Sequence, residues 1–445
     1  MPEQPEHPVV CKATSSSMSQ SAYRRCLGGV LAAAAVFRIG YVLAVKGDDP
    51  LVGDEGYYHA QAVVIANGQW FENPFPPGGF AADHVPLTAL WLSLVSWVDD
   101  RSILAQRLLM ASTGVFVVGA VAVLARIVLG RRASLGAAAI AGGYGAFWLN
   151  DVVLMSETLA TGAVVAVLCC AYVYRERRSW RWAAALGVAV GVAGLARAEL
   201  LVLGALVAIG MTLLDRGGRA GRPDVSGPPS PSVRWTHLAL AGVVSLAVLA
   251  PWVIRNQVRF DESTIMSTQD GLTVLGANCP PAYRGDFVGF WAIECAETVE
   301  VDDGADQSVR SAAYRAAGLD YAVEHADELP AVALARVGRG VHLFRPDQMT
   351  RINELEGRAR WASWIATVQF WLLAPIALSG LTRWASPMPR WPLIVTVGFT
   401  LVLFAAVYGI PRLRVPLDVA FVLAAAAAVD GWWSRRSVAT RPTQS

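Results

Sequence analysis

The stretch Gly53-Asp54-Glu55-Gly56-Tyr57-Tyr58-His59 comes soon after the apolar run LGGVLAAAAVFRIGYVLAV (residues 27–45), and the pair decides how the chain is read. A bilayer core takes a helix of roughly 20 apolar residues. The end of the run is therefore where a membrane helix emerges into water. There the chain places two adjacent carboxylates, two tyrosines and an imidazole. Further apolar runs lie at 103–129, 133–149, 157–174, 182–195, 200–214, 235–254, 361–381, 391–409 and 413–429. Hydrophobic residues make up 54% of the 445, charged ones 16%, and the mean hydropathy is +0.42. These values exclude an ordinary soluble domain. They predict an all-α polytopic membrane protein, a bundle of about ten transmembrane helices.

A net charge of +2 points to no particular partner, and no basic tract interleaved with aromatics suggests nucleic acid. The placement of arginines says more. With the N-terminus in the cytoplasm, Arg126, Arg131, Arg132, Arg175, Arg177, Arg178 and Arg181 fall inside, as do Arg216, Arg219, Arg222 and Arg234. Arg383, Arg390, Arg435 and Arg436 follow the same bias, so both termini are expected in the cytoplasm. The shorter apolar stretch 86–98 must then stay on the outer side as a re-entrant or interfacial helix. Residues 1–26 read as a disordered cytoplasmic tail, and 27–45 as a retained anchor rather than a cleaved signal. The expected organisation is a membrane module at 27–255 with a long first outer loop at 46–101, and a small mixed extracytoplasmic domain at 256–360. C-terminal spans at 361–433 and a cytoplasmic tail at 434–445 complete it.

On this topology the unusual polar residues collect on the outer face. Glu55, Tyr58, Ala62 and Ile65 recur at helical spacing, as in an amphipathic interfacial helix. Asp83 and His84 lie further along the same loop, and Asn150-Asp151 and Ser156-Glu157 bracket the next outer turn. Arg197 and Glu199 occupy the third turn, Pro251-Trp252 with Arg255-Asn256 close a span, and Arg412 and Arg414 precede the final one. Helices are expected over 307–325 and 330–344. Cys279 and Cys295 lie in the outer segment, where they are either a disulfide or two free thiols.

Carboxylates and arginines at the outer lip of a helical bundle suit transfer of a sugar from a polyprenyl-phosphate. The donor's tail stays in lipid and its phosphate at the interface. The phosphate leaves readily and needs charge stabilisation, for which arginine offers a permanent charge and a planar donor fork. The acceptor hydroxyl needs a carboxylate to take its proton. One base and one or two arginines suffice for a single displacement with inversion.

In their order along the chain, Gly53-Asp54-Glu55-Gly56-Tyr57, Ser156-Glu157, Pro251-Trp252 with Arg255-Asn256, and Arg412 with Arg414-Val415-Pro416 resemble the GT-C superfamily of glycosyltransferases. The nearest branch holds dolichyl-phosphate-mannose protein mannosyltransferases, lipid A aminoarabinose transferases and bacterial relatives. The resemblance runs from Arg38 to the last helix. It implies a catalytic base at Asp54 adjoined by Glu55, a positioning acid at Glu157 (less directly Asp151), and phosphate-binding arginines at Arg412 and Arg414. Tyr57, Tyr58, His59, Arg197 and Arg255 join the substrate-side candidates. The implied partners are a polyprenyl-phosphate-sugar donor, mannose- or arabinose-like, membrane lipids, and an acceptor that is an envelope glycan, glycolipid or protein. The site would lie on the extracytoplasmic face of the cytoplasmic membrane. The outer segment is short beside that of protein mannosyltransferases and lacks their lumenal repeats, which weakens the case for a protein acceptor.

Each assignment has a plainer rival. Asp54 could cap the following helix, Glu157 could be a first-turn acid on the helix dipole, and Arg412, Arg414, Arg197 and Arg255 could be interfacial anchors. Arg38, roughly 10 Å below the outer end of its helix, could pair with a carboxylate in the bundle or approach the donor phosphate, with snorkelling slightly favoured over both. No cofactor is required. Asp54, His59, Asp83 and His84 are ligand types suited to a divalent metal, at spacings that match no strong metal motif. A lipid or solute transporter is the alternative function. It would place ionisable groups near the midplane on broken, repeated helices, a pattern the sequence does not display.

Overall fold

The computed structural model describes residues 18–75, 77–99, 102–215 and 231–439. Helix α1 (Gln20–Tyr41) runs on through a π-helical turn, Val42–Lys46. The first outer loop holds α2 (Asp54–Ala66), strands β1 (Glu72–Pro74) and β2 (Pro77–Phe80), and α3 (Leu87–Ser96). Then come α4 (Ile103–Val128), α5 (Arg131–Gly143), the short α6 (Gly145–Trp148), α7 (Glu157–Arg177), α8 (Trp180–Ala196), α9 (Leu200–Ile209) and α10 (Pro231–Arg259). The outer segment is built from α11 (Asp270–Ala277), α12 (Pro280–Tyr283), α13 (Gln307–Glu324), α14 (Leu329–Gly340) and α15 (Pro346–Leu355). Helices α16 (Arg360–Thr382), α17 (Trp391–Ala406) and α18 (Val415–Ala439) finish the chain.

The protein is a multi-pass membrane protein. Five helical segments, Gln20–Lys46, Ile103–Val128, Glu157–Arg177, Pro231–Arg259 and Arg360–Thr382, are long and apolar enough to cross a bilayer. Among the shorter apolar helices, α8 packs between α7 and α10, and α17 packs on α14 and α18. Large apolar side chains face outward along these helices, such as Val36 on α1, Phe116 on α4, Leu246 on α10 and Leu372 on α16. In lipid such a surface costs nothing, and the helices satisfy their own backbone polar groups. At the centre stands α18, with residues 413–426 buried without interruption. A helix apolar all round belongs inside a bundle, and α18 packs on α16, α5, α17 and α7.

Several expectations need correction. The polar tail expected over 1–26 is helical from Gln20, because Ser19 Oγ caps Ala22 N–H at 3.2 Å and buried Tyr23 meets Ser134 at 2.9 Å. Likewise α18 carries the expected C-terminal tail through Ala439. The outer segment is made of helices and 3-10 turns; the strand pairing lies instead in the first outer loop. Arg38 does not snorkel. It is wholly buried and donates to Asp151 Oδ2 at 2.7 Å and to the Gly142 carbonyl at 2.9 Å, tying α1 to the turn before α7. Of the two alternatives for Cys279 and Cys295, the structure has the disulfide. Arg216, Arg219 and Arg222 lie outside the described residues.

A candidate active site at the mouth of the bundle

Gly53 turns the chain into α2 with φ +56°, a conformation that favours glycine. Asp54 is thereby the first residue of the helix, in the turn where the dipole favours an anion. Its side-chain hydrogen bond does not go to the first turn of its own helix. It reaches Arg412 instead, whose Nη1 donates to Asp54 Oδ2 at 2.8 Å. Arg412 sits on the 3-10 turn Pro411–Arg414 between α17 and α18. Residues 358 positions apart in the chain thus meet at one point.

From Arg412 a chain of alternating charge runs inward. The same Nη1 lies 3.0 Å from Glu356 Oε1, and Arg358 Nη1 is 2.7 Å from Glu356 Oε2. Arg358 Nη2 stands 3.7 Å from Glu157 Oε2, while Arg197 Nη1 is 3.2 Å from Glu157 Oε1 and Arg197 Nε donates to Glu199 Oε1 at 2.5 Å. Each buried charge has an opposite neighbour, which is how such groups are tolerated away from water. Asp54, Tyr58, Asp83, His84, Arg197, Glu199 and Arg412 line one cavity of about 370 Å³, in the size range of small-molecule sites, roughly 300–1,000 Å³. Apolar side chains share the lining, among them Val274, Leu403 near the end of α17 and Val407 just beyond it.

The electrostatics follow from these contacts. Burial pushes the Asp54 carboxyl up, but Arg412, with help from His84, outweighs it and holds the group down at about 2. Burial lowers His84 below the usual imidazole value, more than Asp54 and Asp83 lift it, so the ring is neutral near pH 7. Its Nε2 lies 3.8 Å from Asp54 Oδ1, and its ring stacks on Tyr58 at 4.9 Å. Burial would lower Arg412, yet Glu356, Tyr408 and Asp54 raise it above the ordinary guanidinium value.

Not every candidate reaches the cavity. Glu55, next to Asp54, faces the other way. It is fully buried, accepts from Leu154 N–H at 3.0 Å and lies 3.8 Å from Arg107, fastening α2 to its surroundings. Its carboxylate also abuts Gly357, where a Cβ would come within 2.4 Å of Glu55 Oε2 and where φ is +82°. Arg414 turns to Asp418 at 3.0 Å, lies over the Phe370 ring, and is buried behind Arg412. Glu157 stands behind Arg197 with no exposure, so it can act only through that arginine. Arg255 donates to the carbonyls of Phe71 and Ala81 and is surrounded by Phe71, Phe80, Trp252 and Phe260, a structural clamp outside the cavity. His59 Nδ1 pairs with Gln106 at 2.8 Å, and Tyr57 stands behind His84 with ring centroids 5.0 Å apart. With His59 turned away and Asp83 bonded to Gln307, the four potential ligands do not converge. Among the described residues no three His, Cys, Asp or Glu side chains are placed to hold a metal.

Sequence reading missed Glu356 and Arg358. The available signal was Glu356-Gly357-Arg358 directly before a predicted span, an acid and a base around a glycine at the membrane border.

No family model matches the sequence, and no curated protein matches it. Structural comparison does find relatives. The crystal structure of the Archaeoglobus fulgidus oligosaccharyltransferase in its apo form superimposes with a TM-score of 0.53 at 14% identity, over 95% of this chain and 52% of that one. The fold is of the GT-C type. This chain spans about half the length of that relative. ArnT from Cupriavidus metallidurans, bound to undecaprenyl phosphate, aligns at a TM-score of 0.41 with 16% identity, over 95% of this chain and 80% of that one. In the GT-C bundle described here the charged cavity lies between the first outer loop, the short turn after α8 and the turn before α18.

Proposed function

We propose that this protein is an inverting glycosyltransferase that moves a sugar from a polyprenyl-phosphate donor to an acceptor hydroxyl at the outer face of the cytoplasmic membrane. The observation that carries the reading is the meeting of Asp54 with Arg412 in one cavity that Arg197 and several apolar side chains also line. The fold likeness to an oligosaccharyltransferase supports the same class. The acceptor oxygen attacks the anomeric carbon as the bond from that carbon to the phosphate oxygen breaks. The hydroxyl proton passes to the Asp54 carboxylate, and the charge left on the phosphate falls to Arg412 and Arg197.

A carboxylate held at about 2 is a weak base. In this mechanism the donor relieves that constraint. Its phosphate competes for Arg412, and as the guanidinium turns to it Asp54 loses its strongest cationic neighbour and becomes more basic. Glu356, 3.0 Å from Arg412, keeps the arginine anchored during the exchange. The sugar is assigned to a mannose- or arabinose-like class, the acceptor to an envelope glycan, glycolipid or protein, and no cofactor takes part.

A transporter would need charge near the midplane. Here the charged groups gather at one end of the bundle, and Arg38 with Asp151 is a closed pair rather than a path. The test is transfer of label from polyprenyl-phosphate sugars, supplied as a panel, to acceptors in membranes carrying the protein. Loss of label from the donor without its appearance in any acceptor, in parent and Asp54→Asn alike, ends the proposal.

A further inference from the structure

A second cavity, about 470 Å³, lies at the opposite end of the bundle from Asp54, in the groove between α16 and α18. Both helices start beside the charged cavity, at Arg360 and Val415, and reach the groove near their other ends. Its walls are Pro375, Ile376 and Ser379 on α16 with Arg383 just past its end, a stripe at spacings of one, four and eight residues, and a broader face of α18 that includes Ala427, Ala428, Val429, Gly431, Trp432 and Arg435. Small side chains on α18 leave the hollow.

The groove is apolar along its length and cationic at its rim. Arg383 and Arg435 stand there together with Trp432, which is half exposed, and no carboxylate is among the lining residues. Asp430, on the same helix, is paired with Arg132 at 3.5 Å. Neither Arg383 nor Arg435 forms an ion pair among the described residues. From Pro375 to Arg383 the helix rises about 12 Å, close to the roughly 15 Å depth of one leaflet's hydrocarbon. An acyl chain lying on Pro375, Ile376 and Ala428 would bring its headgroup to the two guanidinium groups, with an indole at headgroup level.

We propose that this groove is a binding site for one anionic phospholipid, its phosphate held by Arg383 and Arg435 and a chain lying between α16 and α18. The site is separate from the sugar-transfer cavity and does not depend on that reading. Charge complementarity chooses the occupant: a zwitterionic lipid would bring its own cation to the arginines, and an anionic one does not.

The test uses the full-length protein, delipidated and titrated with phosphatidylglycerol or phosphatidylcholine, with bound lipid counted by native mass spectrometry. Phosphatidylglycerol should be retained and phosphatidylcholine lost. Arg383→Gln with Arg435→Gln should weaken phosphatidylglycerol binding by on the order of 30-fold, while Arg383→Lys with Arg435→Lys keeps most of it. Gly431→Leu separates a groove from a diffuse charge effect. A Cβ at Gly431 meets nothing within 4 Å, so a larger side chain can start there without a clash at the backbone and extend into the hollow. It should displace the lipid although both arginines remain. Equal retention of the two lipids, unchanged binding in the double Gln variant or in Gly431→Leu, or displacement of phosphatidylglycerol by inorganic phosphate alone would each overturn the proposal.

Discussion

Asp54 and Glu55 are neighbours in sequence with opposite surroundings, and their isosteric amides should fail in opposite ways. Asp54→Asn leaves an amide oxygen for Arg412, which also retains Glu356 at 3.0 Å, so no guanidinium is stranded. The Asp54 side chain is 33% exposed, and pairs of this kind contribute about 1 kcal/mol or less to stability. What disappears is the proton acceptor, a loss of about 10²–10⁴-fold in transfer rate, or about 3–5 kcal/mol in the barrier. Glu55→Gln keeps the acceptor for Leu154 N–H but removes the charge facing Arg107 at 3.8 Å, where both side chains have no exposure. A guanidinium left buried without its counter-charge costs about 3 kcal/mol or more. The assay pairs label transfer in membranes with thermal unfolding in detergent. Asp54→Asn should be inactive at parental Tm, and Glu55→Gln should unfold earlier while its folded fraction still transfers. Asp54→Asn turning over within tenfold of the parent, with its fold intact, would refute the assignment of the base.

Four other outcomes follow from particular contacts. Arg412→Gln removes the main cation that holds the Asp54 carboxyl at about 2, so the acid limb of the pH–rate profile should move upward while donor binding weakens; a limb unchanged in the variant would count against the pairing. Because this carboxyl sits lower in the folded protein than in the unfolded chain, its contribution to stability is complete above about pH 4 and is lost as the pH falls towards 2. Breaking the Cys279–Cys295 disulfide by Cys→Ser at both positions reopens a loop with a sequence separation of 16, and should cost about 3 kcal/mol, read as a lower Tm that reductant no longer changes. Arg38→Met strands the Asp151 carboxylate and should destabilise the bundle by about 3–5 kcal/mol. Adding Asp151→Asn to it should recover much of the loss, again read by Tm.

Chain composition and periodicity determined the bundle. A run that must cross hydrocarbon has no choice but to be apolar and helical, so α1, α4, α7, α10 and α16 were legible from residue type alone. Helix α2 was equally legible, because Glu55, Tyr58, Ala62 and Ile65 share the face that it buries. Which of two adjacent acids faces the cavity was not. Asp54 and Glu55 differ by about 100° around one helix, and only the packing of α2 against the turn at Gly357 and against Leu154 decides which carboxylate meets Arg412. The same holds for Arg412 and Arg414, of which one lines the cavity and the other is sealed against Asp418. Glu356 and Arg358 carried a local signal, an acid and a base before a span, but their part rests on partners far away in sequence, Arg412 and Glu157. Solvation is a property of single residues and can be read along a chain; an alternating line of charges exists only once distant segments have been brought within a few ångströms.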